Sequence, residues 1–247
     1  MTLALLHTSP VHVPVFDALR DADHPGFALR HLVREDLLAQ AREAGPEAVA
    51  DRTGALLAGA VADGARAVLC TCSTIGAVAE AWSAELGVPV LRVDRPMAAA
   101  AVTRDRVVVL AAVADTLAPT LALLAEEAGN RPVEVRAVVV GGAWARFEDG
   151  DHEGYLDLVA SAADAVTDAD VIVLAQASMA GAAARTATRV PVLSSPRPGL
   201  AAAAAAVTRP ASTYCGGVFG TRSGGPTGRP RPPRGTVEEA TRTGRTT

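Results

Sequence analysis

The sequence predicts an α/β fold with parallel sheets, built as two pseudo-symmetric halves with a cleft between them. Three observations carry this expectation. Short apolar runs alternate along the chain with stretches of helical composition, as in doubly wound proteins. The strand-like runs are continuously apolar rather than alternating, as in parallel strands covered on both faces. The chain also repeats itself: Leu3–Leu6 matches Val107–Leu110, and Val68–Cys72 matches Ile172–Gln176, both at an offset of 104 residues.

Taken in order, the expected strands are Leu3–His7, Phe27–Leu32, Ala67–Thr71, Val88–Leu91, Val107–Ala111, Val133–Val139, Val171–Ala175 and Val190–Leu193. Helices are expected near 13–21, 46–63, 75–86, 95–102, 116–128, 152–167, 179–188 and 197–208. The repeat continues through Val88-Pro-Val-Leu91 and Val190-Pro-Val-Leu193, and through Arg95-Pro96 and Arg197-Pro198. These matches divide the chain into a first half, 1–95, and a second, 96–195, with a last helix, 196–208, returning to the first half. From Arg209 onward, Pro, Gly, Arg, Ser and Thr replace the apolar periodicity, which reads as a disordered basic tail over 209–247 holding an incidental Cys215.

Charge and composition exclude several functions. The tail carries seven Arg against Glu238 and Glu239, a balance of +5, which leaves −9 on residues 1–208 out of a total of −4. So acidic a body is a poor counterion for phosphate backbones, and at 3% aromatic residues there is no stacking platform for bases. No nucleic-acid partner is expected. All 23 basic residues are Arg, which with the alanine excess points to GC-rich coding. The start, Met1 to His7, has no basic leader and reads as a strand. No apolar run reaches membrane-spanning length, so no membrane partner and a cytoplasmic location are expected. Cys70, Cys72 and Cys215 are too few and too badly spaced for a disulfide framework, and no Cys/His cluster offers a metal site.

The chemistry concentrates at Cys70-Thr-Cys72-Ser-Thr-Ile-Gly76. Ligands of parallel sheets bind at the carboxyl ends of strands, and this turn follows such an end. A thiol at a helix N-terminus is drawn toward its thiolate by the dipole and backbone N–H groups. The same groups, with the Ser73 and Thr74 hydroxyls, can hold a carboxylate. Cys70 lies within the strand and reads as core.

The Cys72-Ser-Thr turn resembles the Cys-Asn-Thr or Cys-Ser-Thr element of the aspartate/glutamate/hydantoin racemase superfamily. The resemblance extends to His7-Thr8-Ser9-Pro10, Arg92-Val-Asp-Arg-Pro-Met97, Thr116-Leu-Ala-Pro-Thr120 and Ser194-Ser-Pro-Arg-Pro-Gly199. It implies a cofactor-independent isomerase without bound metal, acting on a small carboxylate or cyclic amide, and a homo-oligomer. It also implies two catalytic cysteines, one per half. Here the second half reads Ala175-Gln-Ala-Ser-Met179, so the resemblance sets Gln176 where the second cysteine belongs. An amide does not exchange a proton near neutrality but can hydrogen-bond a carbonyl or enolate.

Cys72 and Gln176 are therefore the catalytic candidates, and Thr8, Ser9, Ser73, Thr74, Thr116, Ala177 and Ser178 the substrate-binding ones. Asp115 or Thr116 can cap the following helix. A second acid/base is sought among His7, His12 and Glu148-Asp-Gly-Asp-His152, with His7 also readable as a core histidine. Ser194, Ser195 and Arg197 follow the last strand; Arg197 suits either substrate or a surface ion pair. Trp144 and Phe147 suit either a lid or core. Three alternatives stand beside racemisation: a single-thiol decarboxylase or cis–trans isomerase, covalent addition by Cys72, and a non-catalytic carboxylate binder.

Overall fold

Continuous apolar runs form the central strands because both of their faces are covered. In the computed structural model, which describes residues 1–208, these runs make two parallel four-stranded sheets. The predicted tail, 209–247, with Cys215, lies outside the described residues. The first sheet contains β1 (Thr2–His7), β2 (Ala28–Val33), β3 (Ala65–Cys70) and β4 (Val90–Arg92), in the order β2-β1-β3-β4. The second contains β5 (Arg106–Ala111), β6 (Glu134–Val139), β7 (Val171–Leu174) and β8 (Val192–Leu193), in the order β6-β5-β7-β8. Each of the eight expected strands is present.

The ladders reproduce the sequence repeat. On β1 and β3, Leu3 stands opposite Ala67 and Leu6 opposite Cys70. On β5 and β7, Val107 stands opposite Val171 and Leu110 opposite Leu174. The residue numbers of the second ladder are those of the first raised by 104. Just past each ladder the same bond recurs: Thr71 N–H donates to the Leu6 carbonyl, and Ala175 N–H to the Leu110 carbonyl, both at 2.9 Å. Cys72 and Gln176 each follow one residue later.

The helices are α1 (His12–Asp23), α2 (Glu35–Ala44), α3 (Ala50–Ala62), α4 (Gly76–Ala81), α5 (Ser83–Leu86), α6 (Arg95–Ala101), α7 (Leu117–Ala128), α8 (Ala143–Glu148), α9 (His152–Asp164) and α10 (Pro196–Thr208). Two were not expected. α2 starts on the acidic pair Glu35-Asp36, buries Leu37 and Ala41, and stops at Gly45, whose φ of 89° suits only glycine. α8 starts after Gly142, which has φ 75°. The helix expected at 75–86 breaks at Trp82 into α4 and α5. The stretch expected as a helix at 179–188 is a 3₁₀ turn over Ala177–Ala184, held close to α9: a Cβ on Gly181 would lie 2.9 Å from Leu156.

The first sheet takes one covering helix, α10, from the far end of the chain. One face of the first sheet (Ala4, Leu6, Val68, Cys70) packs on Leu37, Leu57 and Ala79 of α2, α3 and α4. Its other face (Leu3, Leu5, Ala67, Leu69) packs on Phe16 of α1 and on Leu200, Ala203 and Val207 of α10. α6 follows β4 but buries Met97 and Ala98 against Val107, Val109 and Val173 of the second sheet, beside Leu123 of α7. The remaining face of that sheet (Val108, Leu110, Ile172, Leu174) meets Tyr155, Val159 and Ala163 of α9. Burying these Val and Leu side chains is worth roughly 1.5–3 kcal/mol each.

α10 can sit on the first sheet because residue 199 has no side chain. A Cβ there would lie 2.5 Å from the Val93 carbonyl oxygen and 2.6 Å from its Cγ2. Gly199→Ala is expected to lift α10 and cost about 1–3 kcal/mol, read as a lower urea midpoint with unchanged slope. An unchanged midpoint would show that α10 is not pressed against Val93.

Candidate active site

The carboxyl ends of the two sheets converge on a half-open pocket of about 70 Å³. From the first half it is lined by Thr8 and Ser9 after β1, His12 on α1, and Thr71, Cys72, Ser73 and Thr74 after β3. From the second half come Thr116, Gln176, Ala177 and Ser178. All nine residues singled out in the sequence thus border one space. Two residues of α2, Leu38 and Arg42, and two of α8, Trp144 and Phe147, complete the wall.

The loop carrying Cys72 differs from expectation in one respect. α4 begins at Gly76, four residues beyond Cys72, and spans only Gly76–Ala81. The thiol therefore stands in the turn before the helix, outside the first helical turn where the dipole acts. Cys72 is partly exposed, whereas Cys70 is fully buried, its Sγ 3.6 Å from the Cys72 carbonyl oxygen. Burial pushes the Cys70 thiol up. A buried ion pair supports the turn from below: Arg92, at the end of β4, donates from Nε and Nη2 to Asp94 at 2.7 and 2.9 Å. Arg92 also packs against Gly76, where a Cβ would lie 3.1 Å from Nε.

Behind Thr71 runs a chain of buried polar groups. Thr71 Oγ1 donates to the Leu6 carbonyl at 3.1 Å, so it must accept from His7 Nδ1 at 2.8 Å. His7 Nε2 is then an acceptor, and His31 Nδ1 donates to it at 2.8 Å. His31 Nε2 faces Asp17 Oδ1 at 3.3 Å. His7 is wholly buried, and burial, with His31 and His12 nearby, pushes its pKa down to about 3. It is a satisfied interior histidine. Burial likewise lowers His12 to about 4.

Across the pocket, Gln176 is held by its oxygen. The Ala112 N–H donates to Oε1 at 2.6 Å. A backbone N–H can only donate, so the amide orientation is fixed and Nε2 remains a donor. The Ser178 hydroxyl is tied to the buried Tyr155 hydroxyl at 2.9 Å. Thr116 precedes α7 but makes no side-chain cap; its side chain is buried at the pocket wall.

Several candidates fall elsewhere. Asp151 caps α9 by accepting from Gly154 N–H at 2.9 Å, and the His152 ring packs on Phe147 at 5.6 Å. Arg197 pairs with Asp23 at the surface. Ser195 is buried away from the pocket lining. Of the groups considered as a second acid/base, His12 lines the pocket.

Arg42 escaped the sequence reading. It is the one Lys, Arg, Asp or Glu among the described lining residues. Its guanidinium lies 5.0 Å from the centre of the Trp144 ring, and its Nε is 3.6 Å from Asp115. The acidic start, buried Leu37 and Ala41, and the Gly45-Pro46 stop were the signals that could have placed it on a helix.

Among the described residues no group of three or more His, Cys, Asp or Glu could hold a metal ion, and no helix is long and apolar enough to cross a membrane.

Because His7 and His12 are held neutral, the native state excludes protons that the unfolded chain binds below its ordinary histidine pKa of about 6.5. Stability therefore falls as pH drops from about 6.5 toward 4, by up to about 1.4 kcal/mol per pH unit for each ring. Urea midpoints between pH 7.5 and 4.5 should show this decline, with His12→Gln flattening it. A flat profile would show that the rings charge freely in the folded protein.

Comparison with known proteins bears on this pocket. A family model described as Asp/Glu/Hydantoin racemase matches residues 14–210. No curated protein matches the sequence. Among solved structures, a candidate Asp/Glu racemase from Yersinia pestis is 16% identical at a TM-score of 0.62, over 84% of this chain and 99% of that one. A doubly substituted arylmalonate decarboxylase in its liganded form is 22% identical at 0.55, over 85% and 96%. Glutamate racemase from Thermus thermophilus, in complex with β-chloro-D-alanine, is 20% identical at 0.56, over 83% and 79%. At these identities the likeness is one of fold.

Proposed function

Because the chain belongs to the Asp/Glu/hydantoin racemase family, we propose that it is a cofactor-independent isomerase that moves a proton at the carbon beside a carboxylate or cyclic-amide carbonyl, with Cys72 as acid and base. The two sides of its cleft are then residues 1–95 with 196–208, and residues 96–195. One observation carries the reading: the pocket has a single thiol, and its second-half wall (Thr116, Trp144, Phe147, Gln176, Ala177, Ser178) has no thiol, imidazole, amine or carboxyl among the described residues. Proton chemistry is therefore assigned to one face.

Arg42 supplies the positive charge that draws a small carboxylate into the pocket. Its present partner, the half-exposed Asp115 at 3.6 Å, is a weak competitor. The Cys72 thiolate removes the proton from the face turned to the first half. Negative charge then grows on the carbonyl or carboxylate oxygens. The Gln176 Nε2 amide and the hydroxyls of Thr8, Ser9, Ser73, Thr74, Thr116 and Ser178 are the donors available to it, and Ala177 packs beside them. Gln176 thus serves where a family member with two cysteines has its second thiol, and acts by hydrogen bonding. Return of the proton from Cys72 to the same carbon gives exchange with retention; return to a neighbouring carbon gives isomerisation. Inversion needs a donor on the other face.

Gln176 also favours a second reading. A carbanion formed by loss of carbon dioxide needs only charge stabilisation and one proton, which Cys72 can deliver to a single face. The two readings separate by product. Small 2-substituted carboxylates in D2O should exchange their α-proton, and Cys72→Ala should slow exchange by about a thousandfold. Equal exchange in both proteins would falsify the assignment of Cys72. A 2-substituted malonate converted to one enantiomer of the monocarboxylate, without exchange of that product, would select decarboxylation.

Arg42→Met is expected to raise KM about tenfold to a hundredfold while kcat changes little, the signature of a lost charge-assisted hydrogen bond made equally in the ground and transition states. Loss confined to kcat would remove Arg42 from substrate binding.

A further inference from the structure

Strand β6, at the end of the second sheet, is far less covered than the central strands β5 and β7. A parallel sheet is ordinarily covered on both faces. Yet Glu134, Val135, Arg136, Ala137 and Val139 are all exposed, and Val138 is partly so. Val135 and Val139 are two of the few large apolar side chains left exposed among the described residues. Among the described residues β6 is also an edge strand, hydrogen-bonded only to β5. The matching strand of the first half, β2, is better covered, with half-buried Leu29, His31 and Leu32.

The free edge has a defined pattern. Glu134 N–H donates to the Asp105 carbonyl and Val140 N–H to the Ala111 carbonyl, both at 2.8 Å. Even-numbered residues therefore spend their backbone groups on β5. The N–H and C=O of Val133, Val135, Ala137 and Val139 point outward, where another strand would bind. The same odd residues form the apolar row on the α7 side, while Glu134 and Arg136 lie on the opposite side with Val138.

We propose that this edge is a homodimer interface, in which β6 of a second copy pairs antiparallel about Val135 and joins the two second-half sheets into one. Geometry limits the registers. A two-fold axis joining two copies of one edge must stand perpendicular to the sheet, which keeps each residue on its own face. Opposed residues then share parity. Centring on Glu134 or on Arg136 sets like charges against each other, which is unfavourable. Centring on Val135 sets Glu134 opposite Arg136 of the second copy, twice by symmetry. It also sets Val135 opposite itself and Val133 opposite Ala137. All of these odd residues have outward backbone groups, so the hydrogen-bonded pairs fall on the apolar row and the ion pairs on the other face. Arg136 is free to take part, since its pair with Asp168 is solvent-exposed on both sides, at 49% and 68%, and such pairs are weak. Pro132 ends the pairing strand on its amino side.

The test is the oligomeric state of the full chain, by sedimentation and light scattering up to about 100 µM. The expected wild-type state is a dimer. Glu134→Arg leaves the Arg136–Asp168 pair intact but opposes Arg to Arg, and should raise the dissociation constant about tenfold or more; Arg136→Glu should do the same. The double exchange Glu134→Arg with Arg136→Glu should restore the dimer. Circular dichroism and melting of each variant check that the fold persists, as expected for exposed positions. A monomer throughout would overturn the proposal. So would a dimer indifferent to both single changes, which would set the interface elsewhere. If both single changes weaken the dimer but the double exchange does not restore it, the Val135-centred register is wrong.

Discussion

The parallel pairing of β1 with β3, and of β5 with β7, is the constraint from which the rest follows. Parallel strands bring like ends together, so the residues just past β1 and β3 emerge side by side. The bond from Thr71 N–H to the Leu6 carbonyl is the last of the first ladder, and that from Ala175 N–H to the Leu110 carbonyl the last of the second. Thr8, Ser9 and Cys72 follow the first; Gln176, Ala177 and Ser178 follow the second. A one-residue slip in either register would send these side chains to the opposite face and empty the pocket wall. Fully buried Leu, Val and Ile rows on both faces of each central strand penalise such a slip.

Within this common frame the halves order their polar groups by different means. The first half places its polar order behind the pocket: the line from His31 through His7 to Thr71 ties β2, β1 and β3 near their carboxyl ends. Protons in that line are directed, because the Leu6 carbonyl at its end can only accept. The second half places its order within the wall itself, with Gln176 held by Ala112 and Ser178 by Tyr155. Tyr155 is deeply buried and its hydroxyl is pushed up to about 12, so it holds its proton and serves as a hydrogen-bond partner rather than an acid. Both devices restrict rotamers of groups facing a small polar space, which is the preorganisation that charge stabilisation requires. Neither adds a titratable group to the second-half wall.

Much of this was legible in the sequence, for physical reasons that differ by element. Strands buried on both faces must be continuously apolar, so β1, β3, β5 and β7 announced themselves, and with them the 104-residue repeat and every residue that follows their carboxyl ends. α2 and α8 did not. They are short amphipathic helices over the mouth of the pocket, where half of each helix faces water and the apolar signal is diluted. The turn after β3 misled in a different way. Ser73-Thr-Ile-Gly76 has the composition of a helix start, but Ile75 precedes the first helical residue without any side-chain cap, so the helix begins late. Arg42 went unplaced because the start and stop signals of α2, Glu35-Asp36 and Gly45-Pro46, flank a helix whose apolar face is short.

Arg42 also shows how weak contacts can join two halves without locking them. Its helix packs on the first sheet through Leu37 and Ala41, while its guanidinium meets Trp144 and Asp115 of the second half. A cation over an indole at a partly exposed site is worth about 0.5–1 kcal/mol, and an ion pair with a half-exposed partner at 3.6 Å is worth no more. A carboxylate entering the pocket can replace Asp115 at little cost, since the charge on Arg42 is desolvated only once. The Trp144 contact uses the face of the guanidinium and not its N–H edge, so it is compatible with either ion-pair partner. Arg42 therefore joins α2 to the second half through two contacts, the Trp144 ring of α8 and the Asp115 carboxylate before α7, and of these only the second competes with an anion for the same charge.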